Sequence, residues 1–308
     1  RYRPFREFWC MMTTFAEMID DTLMQLTGYS TFQDQATHLT AGIDADDLTI
    51  SVADATAISR GLIEIGSELI QVDAVNNTTA VLTVPPYGRG YRSTTAASHA
   101  SGTRVVSSPM FPRSMVKKAI NDAIKAVYPE LFAVGSTIFS FQPSITAYNL
   151  PAGALDVLQI RWQSTGPSKE WLPVRRYDVD KHAPVSEFAN GVAVNVYDGI
   201  TPGRSIKVTF TKEPEPLVNE NDVFGTVTGL PSSCEDLIRF GAAYRLVPFF
   251  DSARLSGQSA ESDFGGANRQ PSGASQLSRF LLQMYQVRLA EETKGLQSLF
   301  PTRSHYTR

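Results

Sequence analysis

The chain has 308 residues, 42% of them hydrophobic, and a formal net charge of −3. That is enough apolar material for a packed core and excludes a disordered chain, while the slight excess of acid excludes a broad basic surface of the kind that follows nucleic-acid phosphates. Cys10 and Cys234 are the only cysteines, so at most one disulfide can form and a thiolate metal cluster cannot be built.

The charge is divided into blocks. Residues 13–80 hold eleven acids against one base, Arg60, and residues 81–130 hold seven bases against two acids. Neighbouring blocks of opposite sign predict complementary faces, within one subunit or between subunits. No run approaches the roughly 18 apolar residues needed to cross a bilayer, and the start lacks the apolar core of a secretory signal. The expectation is a protein made in the cytoplasm, with no membrane partner.

The first ten residues, RYRPFREFWC, precede a Met11-Met12 pair, and residues 1–12 read as a flexible arm or a misplaced start. Thr14 and Glu17 then have the spacing of a capping box, and Phe15, Met18, Ile19, Leu23 and Leu26 fall on one helical face ahead of Gly28, which predicts a helix over 14–27. From Leu48 the period becomes alternating. "LTISV", "GLIEI", "ELIQVDAV", "AVLTV" and "TRVVS" predict the short strands of a first antiparallel β-module over 40–107.

After Pro109 and Pro112, the stripe Met115, Val116, Ala119, Ile120, Ala123, Ile124, Val127 and Tyr128 opposes Lys117, Lys118, Asn121, Asp122 and Lys125, an amphipathic helix that Pro129 ends or kinks. "TIFSFQ", "ALDVLQIRW", "WLPVRRY", "VAVNVY" and "SIKVTFTK" predict a second antiparallel β-module over 136–231, with no helix long enough for a parallel crossover. Ser233 and Asp236 mark the start of a third helix, kinked at Pro248. Polar, glycine-rich residues 256–273 read as a loop, and a fourth helix runs over 274–295 with Leu277, Phe280, Leu281 and Met284 on its apolar face. Four helices that each need an apolar partner most simply pack together, so the expected fold is α+β: an antiparallel helical bundle formed by 13–39, 108–135 and 232–296, two inserted β-modules, and a tail at 297–308.

The run "PPYGRGYRSTTAASHASGTRV" over 85–105 concentrates glycine, arginine and hydroxyl residues. Gly88 and Gly90 lack the following helix that a dinucleotide loop requires. Ser98 and His99 are adjacent, and neighbouring side chains in extended structure point to opposite sides, so a hydrolase triad is the weaker reading and a loop-pinning histidine the stronger. His38, His182 and His305 lack companions at metal-ligand spacing. Asp44, Asp46 and Asp47 resemble the start of a calcium loop but lack its glycine and closing glutamate, leaving a solvated acidic turn against a weak cation site. No catalytic residue, metal or cofactor is expected. Arg175 and Arg176 beside Tyr177, near Trp162 and Trp171, suit a protein interface better than nucleic-acid or sugar stacking.

"ELIQVDAV", "AVLTV" and "GRGYRSTTAASHASGTRV" together resemble a β-module of tailed-bacteriophage structural proteins, with Arg89, Gly90, Thr94, Ala96, His99 and Gly102 matching. "INDAIKAVYPELF" resembles the helix that precedes the β-region of head-to-tail adaptor, or neck, proteins. The two resemblances cover residues 64–132. They imply a structural virion protein of the neck: a homo-oligomeric ring, usually of twelve copies, that binds the portal protein, meets the tail or a second neck protein, and lines the DNA passage with non-specific contact to passing DNA.

Ring closure needs heterologous contacts, which opposite charge blocks favour. Arg89, Arg92, Arg104 and Arg113 are therefore the candidate subunit-interface residues, facing the acidic 13–80 region of a neighbour. Leu299, Phe300, Arg303, Tyr306 and Arg308 are the candidate portal-docking residues. The competing readings are a phage appendage or glycan-binding adhesion protein and, more remotely, a serine or histidine hydrolase using Ser98 and His99.

Overall fold

A computed structural model describes residues 13–27, 34–165, 169–188, 190–251 and 273–300. Among them the chain is mostly β, with fourteen strands in four antiparallel sheets and five α-helices. The expected helical bundle is not there. The described architecture is built mostly from the four sheets, whose strand-to-strand pairings are the most extensive between elements, and not from a helical scaffold carrying inserted β-modules. An amphipathic stripe states that one face is covered and is silent about what covers it, which is why helical periodicity was compatible with a bundle that does not form.

The chain divides into two compact units. One comprises residues 16–122 and 239–282. Its strands are β1 (Gln35–His38), β2 (Thr49–Ser51), β3 (Gly61–Ile65), β4 (Glu68–Val72), β5 (Ala74–Asn76), β6 (Val81–Thr83) and β7 (Arg104–Ser107), arranged as the sheets β1-β7-β3-β4 and β2-β6-β5. The alternation in "GLIEI" and "ELIQV" turns Ile63, Ile65, Ile70 and Val72 inward, where they meet Leu39, Ile50, Val52, Leu82 and Val105 in one apolar core. β1 lies outside the predicted strands, because Gln35–His38 lacks an apolar alternation and is held by its pairing with β7.

The other unit comprises residues 1–15, 123–238 and 283–308, of which the described part holds β8 (Ala133–Ser140), β9 (Ala147–Asn149), β10 (Asp156–Gln163), β11 (Trp171–Pro173), β12 (Tyr177–Asp180), β13 (Ala193–Val196) and β14 (Ser205–Lys212). Its sheets are β11-β10-β14-β8 and β12-β13-β9. Ile160, Val194, Ile206, Val208 and Phe210 form its core with Tyr148, whose ring stacks on Phe139 at 4.3 Å.

The helices are α1 (Phe15–Thr27), α2 (Arg113–Ala126), a short α3 (Phe224–Thr228), α4 (Glu235–Leu246) and α5 (Gly273–Leu299). On α1 the buried face carries Phe15, Met18, Ile19 and Leu26 but takes Thr22 in place of Leu23; the Thr22 hydroxyl stays satisfied by donating to the Met18 carbonyl at 2.7 Å. On α2, Val116, Ala119, Ile120, Ala123 and Ile124 are buried as the stripe predicts. Pro248 ends the α-helical part of the third predicted helix, and Val247–Asp251 continues as 3-10. The predicted arm at 1–12, most of the predicted loop at 256–273 and the tail beyond residue 300 lie outside the described residues.

Ile63 and Ile160 sit in the cores of the first and second β-regions at 1% exposure or less. Truncating either to alanine is expected to cost about 2–5 kcal/mol in chemical denaturation.

Candidate functional site

The glycine- and arginine-rich run forms a loop around one buried carboxylate. Glu68 opens β4 in a strand whose other inward positions are apolar, so its side chain enters the core side with a charge that must be satisfied there. Five donors converge on it. Arg89 Nε donates to Oε1 at 2.8 Å and Arg89 Nη2 to Oε2 at 3.0 Å; the Gly90 backbone N–H reaches Oε1 at 3.0 Å and the Ala97 N–H reaches Oε2 at 3.2 Å; His99 Nε2 lies 2.9 Å from Oε2. The Arg89 and Glu68 side chains are only 5% and 1% exposed. Burial alone would raise the Glu68 carboxyl, yet the hydrogen bonds from Arg89, Gly90, His99 and Ala97 outweigh it and hold the group below its ordinary carboxylate value. An ionised carboxylate only accepts, so His99 donates through Nε2.

Arg89 also reaches outward from the carboxylate. Its Nη1 donates to the Asp44 and Asp47 carbonyls, and its Nη2 to the Ala97 carbonyl at 2.8 Å. The acidic turn is thus held through its backbone, and the Asp47 carboxylate accepts the Asp44 N–H at 2.7 Å. His99 exchanges backbone hydrogen bonds with Ile43 at 2.9 Å in both directions. Gly90 has φ +60°, and a Cβ there would come within 2.9 Å of the Thr94 carbonyl oxygen, so glycine alone allows its N–H to approach Glu68. The Thr94 hydroxyl accepts the Leu69 N–H at 3.1 Å and donates to the Tyr91 carbonyl at 2.9 Å. Arg89, Gly90, Thr94 and His99 therefore act together as a clasp that closes the handover from β6 to β7. Ser98 is exposed and His99 is directed to Glu68, so the adjacent pair does not assemble as nucleophile and base.

A second buried carboxylate was not singled out by sequence. Glu64, on β3, accepts the backbone N–H of Arg113 at 2.5 Å, capping the first residue of α2 from the sheet. Burial is the main cause that pushes its carboxyl up to about 7, with Asp34 adding to the rise and Arg113 and Lys117 opposing it. The signal for Glu68 is an acid in phase with the inward-facing Ile70 and Val72, whereas Glu64 lies on the opposite parity from Ile63 and Ile65, so alternation gives no sign of its burial.

The four candidate interface arginines stand on different elements. Arg89 belongs to the clasp. Arg113, at the start of α2, pairs with Asp20 of α1 at 2.5 Å. Arg92 is exposed, with φ +53°, in the 3-10 turn Tyr91–Ser93, and Arg104 is exposed on β7 opposite His38. Leu299 is exposed and Phe300 half-buried at the end of α5, whereas Arg303, Tyr306 and Arg308 lie outside the described residues. Trp162 pairs with Leu172 and Trp171 with Gln163, so the two indoles lie on opposite faces of the sheet and build no common stacking platform.

Cys234 is buried near Glu292, and burial first, then that charge, pushes its thiol up to about 12. Glu292 accepts from the Ser233 hydroxyl at 2.8 Å and from Arg288 at 2.9 Å. Among the described residues no group of three or more His, Cys, Asp or Glu is placed to hold a metal ion, and no helix is long and apolar enough to cross a membrane.

Arg89→Ala is expected to cost about 3–5 kcal/mol in urea or guanidinium unfolding, because it leaves a buried charge without its partner. Glu64 carries the opposite pH signature. Its folded value lies above the unfolded one, so its contribution to stability is complete below about 4.5 and is lost as pH rises through about 7. Glu64→Gln should therefore flatten the stability profile across that window, removing a change of up to roughly 3 kcal/mol measured by denaturation at successive pH values.

A protein-family model described as SU10 adaptor protein matches residues 104–284, more than half of the chain, running from β7 into α5. A search of curated proteins found no match. The matched segment starts after the clasp and contains the whole β8–β14 region. The chain belongs to the SU10 adaptor protein family and is a structural adaptor of a bacteriophage.

Proposed function

We propose that the chain acts as a ring-forming head-to-tail adaptor in the virion neck, joining the portal protein to the tail or a second neck protein and lining the DNA passage. Family membership supports the adaptor role. The observation that carries the docking role is α5, a helix of 27 residues on which only Leu281 and Tyr285 are buried among the described side chains. Leu277, Phe280, Val287 and Leu299 remain exposed on it. A long helix with large apolar side chains left in water is suited to being covered by another molecule. Leu299 and Phe300, followed by the tail with Arg303, Tyr306 and Arg308, are the proposed portal contact.

For subunit contacts within the ring, the proposal narrows to Arg92 and Arg104. Arg89 is engaged with Glu68 and Arg113 with Asp20 of the same chain, whereas Arg92 and Arg104 present their charge at the surface. A heterologous contact would set them against acids of the adjacent copy, and a dodecamer is the expected closure. The glycan-binding reading loses its platform with Trp162 and Trp171 on opposite faces.

Native mass spectrometry of the purified chain, alone and with the portal protein, tests this reading: closed rings that bind the portal are expected, and a trimer or a monomer indifferent to the portal would overturn it. The double reversal Arg92→Glu with Arg104→Glu should abolish ring formation at moderate salt while leaving the circular dichroism unchanged, and rings of undiminished abundance would remove the charge contact.

A further inference from the structure

The second β-region packs its two sheets on one core, which leaves each sheet an outer face on the opposite side of the region. Ile160, Ile206, Val208 and Phe210 of the sheet β11-β10-β14-β8, and Tyr148, Val194 and Val196 of the sheet β12-β13-β9, point into that core. Strand alternation turns their sequence neighbours outward. On the first outer face Arg161 of β10 stands directly opposite Lys207 of β14, between Pro173 of β11 and Ile138 of β8. The next rung on that face is uncharged, with Thr209 between Gln159 and Ser136. Tyr177 and Val179 pack against the core from β12, so Asp178 and Asp180 lie on the second outer face, and both are exposed.

Two cations in direct cross-strand register repel, so the isolated sheet loses stability by placing them there. Among the described residues no acid forms an ion pair with Arg161 or Lys207, and no base forms one with Asp178 or Asp180. Other charges of this region are neutralised internally: Asp156 pairs with Lys181 at 2.8 Å and Glu215 with Lys212 at 2.7 Å. Asp180 accepts the His182 backbone N–H at 2.8 Å, a contact that leaves its charge in place. Arg176 has the parity of the two acids but precedes the strand, with Asp178 between it and Asp180. One outer face thus carries uncompensated positive charge and the other uncompensated negative charge.

We propose that these two faces meet between neighbouring copies of the chain, Arg161 and Lys207 of one copy against Asp178 and Asp180 of the next. Charge complementarity selects the occupant, because the same chain carries both the paired cations and the acids that answer them. Passing DNA would answer the cations and leave Asp178 and Asp180 without a partner. The faces lie on opposite sides of one core, so a copy engages a neighbour on each side at once. The contact is heterologous, as a closed ring requires. It rests on the ring reading above and gives that ring a second contact, on residues other than Arg92 and Arg104.

Two charge variants of the full-length chain, followed by sedimentation velocity and native mass spectrometry with Arg92 and Arg104 intact, test the contact. Arg161→Glu with Lys207→Glu makes both faces negative; it keeps a like-charged pair in register, so thermal unfolding should not change. Asp178→Lys with Asp180→Asn makes both faces positive and keeps an acceptor for the His182 N–H. Each variant alone should assemble at least about tenfold more weakly than the unaltered chain, most clearly at low salt, where repulsion is least screened. An equimolar mixture should recover assembly with the two variants alternating, since each then meets the opposite sign on both sides. Undiminished rings from either variant alone, or a mixture that stays dissociated while the unaltered chain forms rings, overturns the proposal and leaves the ring reading intact. So does a first variant that assembles normally but loses retention of duplex DNA, which would assign the cations to phosphate. A mixture that recovers association when the unaltered chain forms only open oligomers does the reverse, and a monomer under every condition defeats both.

Discussion

The first β-module depends on one carboxylate placed where water cannot reach it. Glu68 sits at the start of β4 with its charge retained, and that charge is tolerable because an arginine, an imidazole and two backbone N–H groups are aimed at it. The cost of removing a carboxylate from water makes those donors obligatory, and their positions dictate the path of the chain from Gly88 to His99. Arg89 then transmits the constraint to the turn around Asp44 and Asp47 by donating to its carbonyls. A loop without regular secondary structure is thereby held as firmly as a strand pair. Composition that reads as a candidate for phosphate binding or catalysis serves instead to satisfy an interior charge.

Glu64 extends the same logic to the helix that follows. The first turn of a helix has backbone N–H groups without intrahelical partners, and here a carboxylate from β3 accepts the one at Arg113. Arg113 also pairs with Asp20, and Arg239 of α4 pairs with Asp21 at 2.7 Å, so α1 is tied through its adjacent acids to two other helices. On α5, Leu277, Phe280, Val287 and Leu299 keep large apolar side chains in water.

The opposed charge blocks of the sequence have a corresponding physical account. Part of the block pairing is intramolecular: Glu68 with Arg89 and Asp20 with Arg113 each join an acid from 13–80 to a base from 81–130. What remains at the surface includes Arg92 and Arg104 among the bases. The division between consumed and available charge comes from burial, which a count of residues along the chain does not register.

Local pattern determined most of the elements. The alternation in "GLIEI", "ELIQV", "VAVNV" and "SIKVTFTK" and the stripes of α1 and α2 reflect the side-chain periods of strand and helix, which are properties of the backbone and legible in any order of packing. Segments with little local preference, β1 and β9, became strands only because a partner strand lay beside them. The partner of Arg89 and His99 was likewise hidden: Glu68 lies twenty-one residues before Arg89, and only the closure of the sheet brings them within hydrogen-bond distance. The expected helical bundle failed for the same reason, because periodicity shows that a face is buried and tertiary structure alone decides which surface buries it.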